Sequence, residues 1–290
     1  MPNGTGIGER GEGAERDVSV VIGTYNRLRY LRATLESVRD ELAGTAHEII
    51  VVDGGSDDGT IRWLTAQKDV ISIVQHNRGT WRGKQIERRS WGYFMNLGFK
   101  AAQGRYVCML SDDCLVIPGA ITAGLRLGAP VVAFYWRDFP VDGRYKVGVT
   151  YGERLFVNHG LYAREALEQV GYIDEDKFAF YHADGDLALR LAEAGYPCVA
   201  SDDSYIEHYA DANPAVRASN LGRQRADWEA YSARWGKLEE PSESWLWREH
   251  HDGHGTARRY WGPLLTSPTY RRVQQARELI TDRIKSHVNR

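Results

Sequence analysis

Apolar positions gather in short blocks from residue 18 onward, and the blocks alternate between two rhythms. "VSVVIGTYN" is a Val-rich, strand-like run that ends in turn residues. Behind it Leu28, Leu31, Leu35, Val38 and Leu42 recur at steps of three and four, the spacing of one helix face. "HEIIVVDGGSDDGT" repeats the scheme: a strand run ending on Asp53, a Gly/Ser/Asp turn, then a predicted helix from about Thr60 to Gln67. "ISIVQ" reads as a third strand, "MNLGFKAAQG" as part of a helix, "RYVCMLSDD" as a fourth strand and "VVAFYW" as a fifth. This alternation predicts a parallel sheet with right-handed crossovers. Such sheets gather ligands at the carboxyl ends of their strands, and Asp53 and the Asp112–Asp113 pair fall at such ends.

The second half is less regular. A basic, aromatic loop, "HNRGTWRGKQIERRSWGYF", precedes the third helix, and residues 143–162 read as short strands and loops with no strong period. A helix at about Arg164–Val170 leads to the turn "GYIDEDKF". In "ADGDLALRLAEAG", Leu187, Leu191 and Ala194 share one helical face, and Gly195 suits the position just past its end. "CVASDD" and "YIEHY" read as two late, short strands. From residue 211 the chain turns Trp-rich, charged and helix-compatible, and from Arg258 it carries more Arg and Lys than acid. Residues 1–16 are Gly-rich and polar and are expected to be disordered. They contain a Gly6-x-Gly8-x-x-Gly11 match to the dinucleotide fingerprint, which fails because no strand precedes it and no helix follows. The expected organisation is a disordered segment 1–16, an α/β domain 17–210 and a C-terminal helical extension 211–290 packed on it.

Composition narrows the function classes. With 290 residues, 42% hydrophobic and 26% charged, the chain has the make-up of an ordinary globular protein with one large domain. A net charge of −2 argues against a nucleic-acid binder that relies on a global basic field. Cys108, Cys114 and Cys198 show no paired metal-ligand spacing and are expected as reduced thiols. No apolar run is long enough to span a bilayer and no signal-peptide pattern is present, so a soluble, cytoplasmic protein is expected.

Four segments, in order, carry a resemblance to a known family. "VSVVIGTYNRLRYLRATLESV", "EIIVVDGGSDDGT", "AAQGRYVCMLSDD" and "GLYAREALEQVGYIDEDKFAFYHADGDLALRLAEAGY" resemble the opening strand and nucleotide loop, the acidic turn, the DxD-type motif and the acceptor-side segment of family-2 glycosyltransferases. The resemblance covers roughly residues 17 to 210. It implies the GT-A fold, a Rossmann-like, mostly parallel central sheet flanked by helices, here with the C-terminal helical extension. It also implies inverting transfer of a sugar from a nucleotide-diphosphate donor, a UDP-sugar first among them, to an acceptor hydroxyl, with Mn²⁺ or Mg²⁺.

Each implied role stands beside a plainer reading. By the resemblance Asp113 binds the metal, and Asp112 the ribose or the metal through water; hard cations suit carboxylates, although Asp is also common in solvated turns. Ser111 stands where many relatives carry the first Asp of the motif. Thr24, Tyr25 and Asn26 would cradle the base and Asp53 would accept a hydrogen bond from base or ribose; an Asx-turn or helix cap is the plain reading of Asp53, one that Asp57 and Asp58 suit better. Asp184 matches the catalytic base, yet Ala183 stands where relatives carry Glu, a helix cap is also compatible, and Asp186 is the base if the register shifts by two. His208 is either a further metal ligand or a structural histidine. One of Arg78, Arg82, Lys84, Arg88 and Arg89 is expected at the diphosphate, the others on a solvated face. Trp81, Trp91 and Trp136 suit either stacking or core packing, and the cluster His250, His251 and His254 reads as a polar loop. The basic tail with Trp261, Leu264 and Leu265 suits a peripheral membrane contact on an anionic inner face, a helical cap or a homo-oligomer contact. Two rival functions remain. A nucleotidyltransferase would need a Gly-rich, basic phosphate loop that "GTYNRLRY" does not supply. A catalytically inactive nucleotide-sugar-binding protein is kept open by Ser111 and Ala183. The acceptor stays open among sugars, lipid-linked glycans, small aromatic metabolites, proteins and modified nucleic acids.

Overall fold

The computed structural model describes residues 16–139, 142–209, 220–249 and 253–265. Residues 1–15, His250 and His251 lie outside the described residues, as do the side chain of His254 and the tail beyond 265. The predicted alternation is present from the start: β1 (Val18–Thr24), α1 (Leu28–Glu41), β2 (His47–Asp53), α2 (Thr60–Leu64) and β3 (Val70–Val74). The basic loop contains a small hairpin, β4 (Thr80–Trp81) and β5 (Lys84–Gln85), before α3 (Trp91–Ala101) and β6 (Tyr106–Ser111). β1 pairs in parallel with β2 on one side and β6 on the other, and β2 with β3. Thr24 therefore lies opposite Asp53, and Gly23 opposite Ser111. The register brings the three ends together.

Packing explains these elements better than propensity does. Leu31, Leu35, Val38 and Leu42 of the predicted α1 stripe are fully buried, each contributing about 1.5–3 kcal/mol relative to exposure. The helix needs this, because its N-cap is Arg27, whose side chain makes no cap bond. A Ser or Asp there would add roughly 1 kcal/mol; instead Asp58 Oδ2 accepts the orphan N–H of Leu28 at 3.0 Å. α3 lies close on the sheet because residue 98 is glycine: a Cβ there would stand 2.5 Å from Val21 Cγ1. α2 is shorter than the expected Thr60–Gln67. Its end is tightened by Ala66 and Gln67 N–H bonds to the carbonyls of Trp63 and Leu64, three residues back.

Beyond β6 follow β7 (Cys114–Val116), α4 (Ala120–Leu127), β8 (Val131–Asp138), β9 (Tyr145–Thr150), β10 (Arg154–Phe156), β11 (Gly160–Ala163), α5 (Arg164–Val170), α6 (Ala183–Glu193) and β12 (Cys198–His208). The sheet runs β10-β9-β8-β11-β6-β1-β2-β3. The half built from β6, β1, β2 and β3 is parallel as expected, while β11 enters antiparallel to both β6 and β8 and makes the whole sheet mixed. The two late strands expected from "CVASDD" and "YIEHY" are one strand, β12, with an irregularity between Ser201 and Tyr205. The polar residues there look like a break in the sequence, but the extra residues bulge out of a continuous ladder with β8.

The C-terminal region supplies α7 (Gln224–Trp235), β13 (Trp245–Arg248) and α8 (Gly253–Leu265), so it carries a strand as well as helices. β13 joins the main sheet antiparallel to β9. Trp261 of α8 is fully buried and packs with Ala33, Leu115, Phe139 and Tyr209. Of the tail residues expected at a membrane, this one belongs to the core. No helix among the described residues is long and apolar enough to cross a membrane.

Candidate active site

The Ser111–Asp113 turn between β6 and β7 is pinned from several sides. Thr24 Oγ1 donates to Asp112 Oδ2 at 2.7 Å, and Thr34 Oγ1 of α1 donates to the Asp112 carbonyl at 2.9 Å. Tyr209 N–H donates to the Asp113 carbonyl at 2.8 Å. Arg27 Nη1 reaches both acids, at 2.7 Å from Asp112 Oδ1 and 2.8 Å from Asp113 Oδ2. Both acids are 3% exposed, and two adjacent buried carboxylates would be untenable without such a cation. Burial pushes the Asp112 carboxyl up, Arg27 opposing it. Burial acts in the same direction on Asp113, but His208 and Arg27 outweigh it and hold this acid well below the usual range. Burial also opposes the charge on Arg27, and the two acids more than compensate.

His208, at the end of β12, lies opposite Asp138 of β8. Asp138 Oδ1 takes a 2.8 Å hydrogen bond at His208 Nδ1, and Nε2 then lies 3.4 Å from Asp113 Oδ1. Asp113 Oδ1 is buried without a hydrogen-bond partner among the described residues. A carboxylate orienting an imidazole whose far nitrogen faces a second carboxylate is the supporting arrangement of a metal site. Carboxylate oxygen suits Mn²⁺ and Mg²⁺ alike, and an imidazole nitrogen beside it favours Mn²⁺ over the oxygen-preferring Mg²⁺, so these residues fit Mn²⁺ better. Cys114 Sγ lies within 4.8 Å of the same ligand atoms. Burial, then Asp113, pushes its thiol well up, so it stays protonated and is a poor ligand for a hard cation. Asp113 and Asp138 outweigh the burial of His208 and raise it to about 9. Neighbouring His159 is driven the other way by burial and by His208, down to about 3.

A cleft of about 880 Å³, counting its open mouth, runs along these strand ends. Thr24, Tyr25, Arg27, Ser111 and Asp112 line one part of it, and Arg78, Arg88, Arg89, Trp91, Asn158 and Phe180 another. Of the residues expected around a base, Asn26 is structural in this state. It adopts φ 53°, its N–H donates to Ser56 Oγ at 2.8 Å, and its Oδ1 accepts from Asp57 N–H at 2.8 Å. Tyr25 presents its ring to the Arg78 guanidinium at 5.3 Å. Asp53 is fully buried; its Oδ1 accepts the N–H groups of Gly55 and Ser56, both at 2.8 Å, which realises the Asx-turn reading. Its Oδ2 has no partner among the described residues. Among the basic-loop candidates, Arg78, Arg88 and Arg89 reach the cleft, whereas Arg82 and Lys84 are exposed in the β4–β5 hairpin region. Arg78 and Arg88 both donate to Asn220 Oδ1. Burial, then Arg78 and Arg223, lowers Arg88 to about 10, the signature of crowded cations.

Asp184 sits in the first turn of α6, two residues past its N-cap, His182. Its Oδ1 accepts from the Gly185 N–H at 2.9 Å, and its Oδ2 accepts from Asn158 Nδ2 at 3.2 Å. Burial pushes its carboxyl up to about 6. Asp186 has other work: it is fully buried, accepting from Arg190 Nε at 2.8 Å and Trp235 Nε1 at 2.9 Å. α7 clasps the same corner. Asp227 accepts three backbone N–H groups, from Ala179, Phe180 and Tyr181, at 2.8–2.9 Å. The Tyr231 ring stacks on His182 at 5.1 Å, where a Cβ on Gly185 would stand 2.7 Å from the Tyr231 hydroxyl. Trp91 lines the cleft and Trp136 packs edge-on against His208, while Trp81 is exposed.

Arg27, Asp138, Asn158 and Asp227 were not singled out from the sequence. Only Arg27 carried a signal, as the cation directly after "GTYN" at a strand end. The other three meet the site across 26 to 70 positions of sequence.

Comparison with known proteins agrees with this geometry. The model of the family "Glycosyl transferase family 2" matches residues 19–127, the stretch holding Thr24, Arg27, Asp53, Asp112 and Asp113. The chondroitin synthase of Escherichia coli is 30% identical over 108 residues, 36% of this chain and 14% of that protein. The putative glycosyltransferase EpsH of Bacillus subtilis is 25% identical over 131 residues, covering 44% of this chain and 36% of EpsH. The uncharacterized glycosyltransferase YwdF of B. subtilis is 26% identical over 231 residues, covering 72% and 80%. The chain thus spans well under two thirds of the first two relatives. Among solved structures, the mannosyltransferase PcManGT from Pyrobaculum calidifontis, in complex with GDP-Man and Mn²⁺, superposes with a TM-score of 0.52 at 19% identity, over 79% of this chain and 67% of that one. The shared architecture is the GT-A fold.

Proposed function

We propose that this protein is an inverting, divalent-metal-dependent glycosyltransferase that moves a sugar from a nucleotide-diphosphate donor to an acceptor hydroxyl. The observation that carries the reading is one cleft lined by Asp112, beside Asp113 and His208, and by Asn158, which is bonded to Asp184. Tyr25 and Asp53 would receive the nucleoside, and Arg78 and Arg88 the diphosphate, since guanidinium groups match phosphate oxygens. Asp113 Oδ1 and His208 Nε2 would hold Mn²⁺ or Mg²⁺, with Asp138 fixing the imidazole. The ion supplies Lewis-acid stabilisation of charge on the departing diphosphate. Asp184 would accept the proton of the acceptor hydroxyl as its oxygen attacks the anomeric carbon. A carboxyl near 6 is ionised at neutral pH yet basic enough for that transfer. Positioning and charge stabilisation would supply most of the acceleration.

A panel of UDP-, GDP- and dTDP-sugars, incubated with the protein and Mn²⁺ and resolved by ion-exchange chromatography, tests the reaction class. UDP-sugars lead the panel because the sequence resemblance points to them first. Release of nucleoside diphosphate supports the reading. Release of pyrophosphate from a nucleoside triphosphate and a sugar phosphate would identify a nucleotidyltransferase instead, and inertness toward the whole panel an inactive binder.

A further inference from the structure

The sheet face that carries Asp138 and His208 continues beyond them to the edge of the molecule. Trp136 stands two residues before Asp138 on β8 and shares its face. Its register partner on β9 is Lys146, and Lys146 is in turn opposite Trp247 on β13. Trp245, two residues from Trp247 and opposite Gly148, completes the row. Trp136 and Trp245 meet edge to face at 5.8 Å. Lys146 Nζ lies 4.5, 5.0 and 5.7 Å from the ring centres of Trp136, Trp245 and Trp247. The lysine is only 8% exposed and pairs with Asp142 at 2.7 Å and Asp138 at 3.6 Å. Trp247, by contrast, is 38% exposed, and Trp245 is partly so.

This surface is joined to the candidate chemistry by two hydrogen bonds. Trp136 Nε1 donates to Asn158 Oδ1 at 3.1 Å, and Asn158 Nδ2 donates to Asp184 Oδ2 at 3.2 Å. The outer tryptophans therefore continue a path that begins at the proposed base.

We propose that the Trp136–Trp245–Trp247 face is the acceptor subsite and that the acceptor it takes is a carbohydrate chain. The inference rests on the glycosyl-transfer reading above and names its second substrate. A sugar ring has C–H-rich faces that pack on indole and a rim of hydroxyls that need polar partners; aromatic rings with a polar edge supply both. Lys146, paired with Asp142, lies among the rings, and the Arg144 guanidinium lies 4.7 Å from the Trp247 ring centre. That mixture suits a hydroxylated ligand better than a lipid chain. In the reaction the acceptor hydroxyl oxygen bonds to the anomeric carbon of the donor sugar. The bond from that carbon to the diphosphate oxygen breaks, its electron pair leaves with the diphosphate, and the hydroxyl proton passes to Asp184.

The test uses the full chain with Mn²⁺ and nucleoside diphosphate bound. Three tetrasaccharide probes, of β-1,4-glucose, β-1,4-N-acetylglucosamine and α-1,6-mannose, are titrated by calorimetry into wild type, Trp247→Ala and Trp247→Phe. The expected result is saturable binding of at least one probe. Trp247→Ala should weaken it tenfold or more and Trp247→Phe by threefold or less, with the nucleotide Kd the same in all three proteins. Binding of none of the probes, or equal affinity in wild type and Trp247→Ala, overturns the subsite. So does a dimer in sedimentation that Trp247→Ala abolishes, because the face would then belong to a second copy. Donor turnover by the wild type is measured in parallel. If it occurs while the tetrasaccharide arm fails, only the subsite is wrong; if it is absent, the glycosyl-transfer reading fails and takes the subsite with it.

Discussion

Asp184 and Asp186 are two residues apart in a segment whose sequence allows either to be the base, and their surroundings separate them. Asp186 is tied to Arg190 and Trp235 inside the protein, whereas Asp184 has, among the described residues, only the adjacent Gly185 N–H and a long bond from Asn158. A raised carboxyl pKa predicts an acid limb in the rate. Protonation below about 6 would remove the proposed base, so kcat/KM should fall about tenfold per pH unit below that value and level off above it. A pH–rate profile without an acid limb between 5 and 7 would contradict this. Arg27 makes a different prediction. Replacing it with Met leaves Asp112 and Asp113 buried side by side, and breaking such a pair costs about 3–5 kcal/mol. Urea denaturation at pH 7 should show that loss, and the loss should shrink at low pH as Asp112, whose carboxyl is already pushed up, takes a proton.

At the scale of elements, α7 has the unexpected role. Its sequence, "QRADWEAYSARW", is charged and weakly patterned, so it announces a helix but not what the helix holds. Asp227, Tyr231 and Trp235 recur at one-turn spacing and together fix the loop 179–181 and the start of α6. Asp227→Ala would leave three backbone N–H groups without their acceptor, at a cost of at least about 2–3 kcal/mol. Hydrogen exchange should then accelerate at residues 179–181 while the β1–β2–β6 core stays protected; unchanged exchange there would contradict the assigned role. β12 teaches a related lesson. Asp202 and Asp203 look like the end of a strand, and only the neighbouring β8 reveals that they occupy an irregularity in one.

For the molecule as a whole, the legible parts are those whose signal is local. Strand ends carrying Asp53, Asp112 and Asp113 follow from apolar runs that stop on acids, and the α1 stripe follows from its period. Asp138 gives no such signal: it becomes meaningful only because β8 and β12 run in register and place it against His208. The same holds for Asn158, which reaches Asp184 from the loop before β11. The mixed half of the sheet was illegible for a similar reason, since short strands without strong alternation acquire their order from their partners.

The proposed metal and the proposed base meet in one comparison, the rate of nucleoside-diphosphate release for wild type, Asp113→Asn and Asp184→Asn, each with Mn²⁺ and with EDTA. Wild type should turn over with Mn²⁺ and lose at least about a hundredfold with EDTA. Asp184→Asn should lose a comparable factor, within the range of a general base, while binding nucleotide normally. Asp113→Asn should lose its response to Mn²⁺. Release that proceeds equally in all three proteins and ignores EDTA would contradict the account.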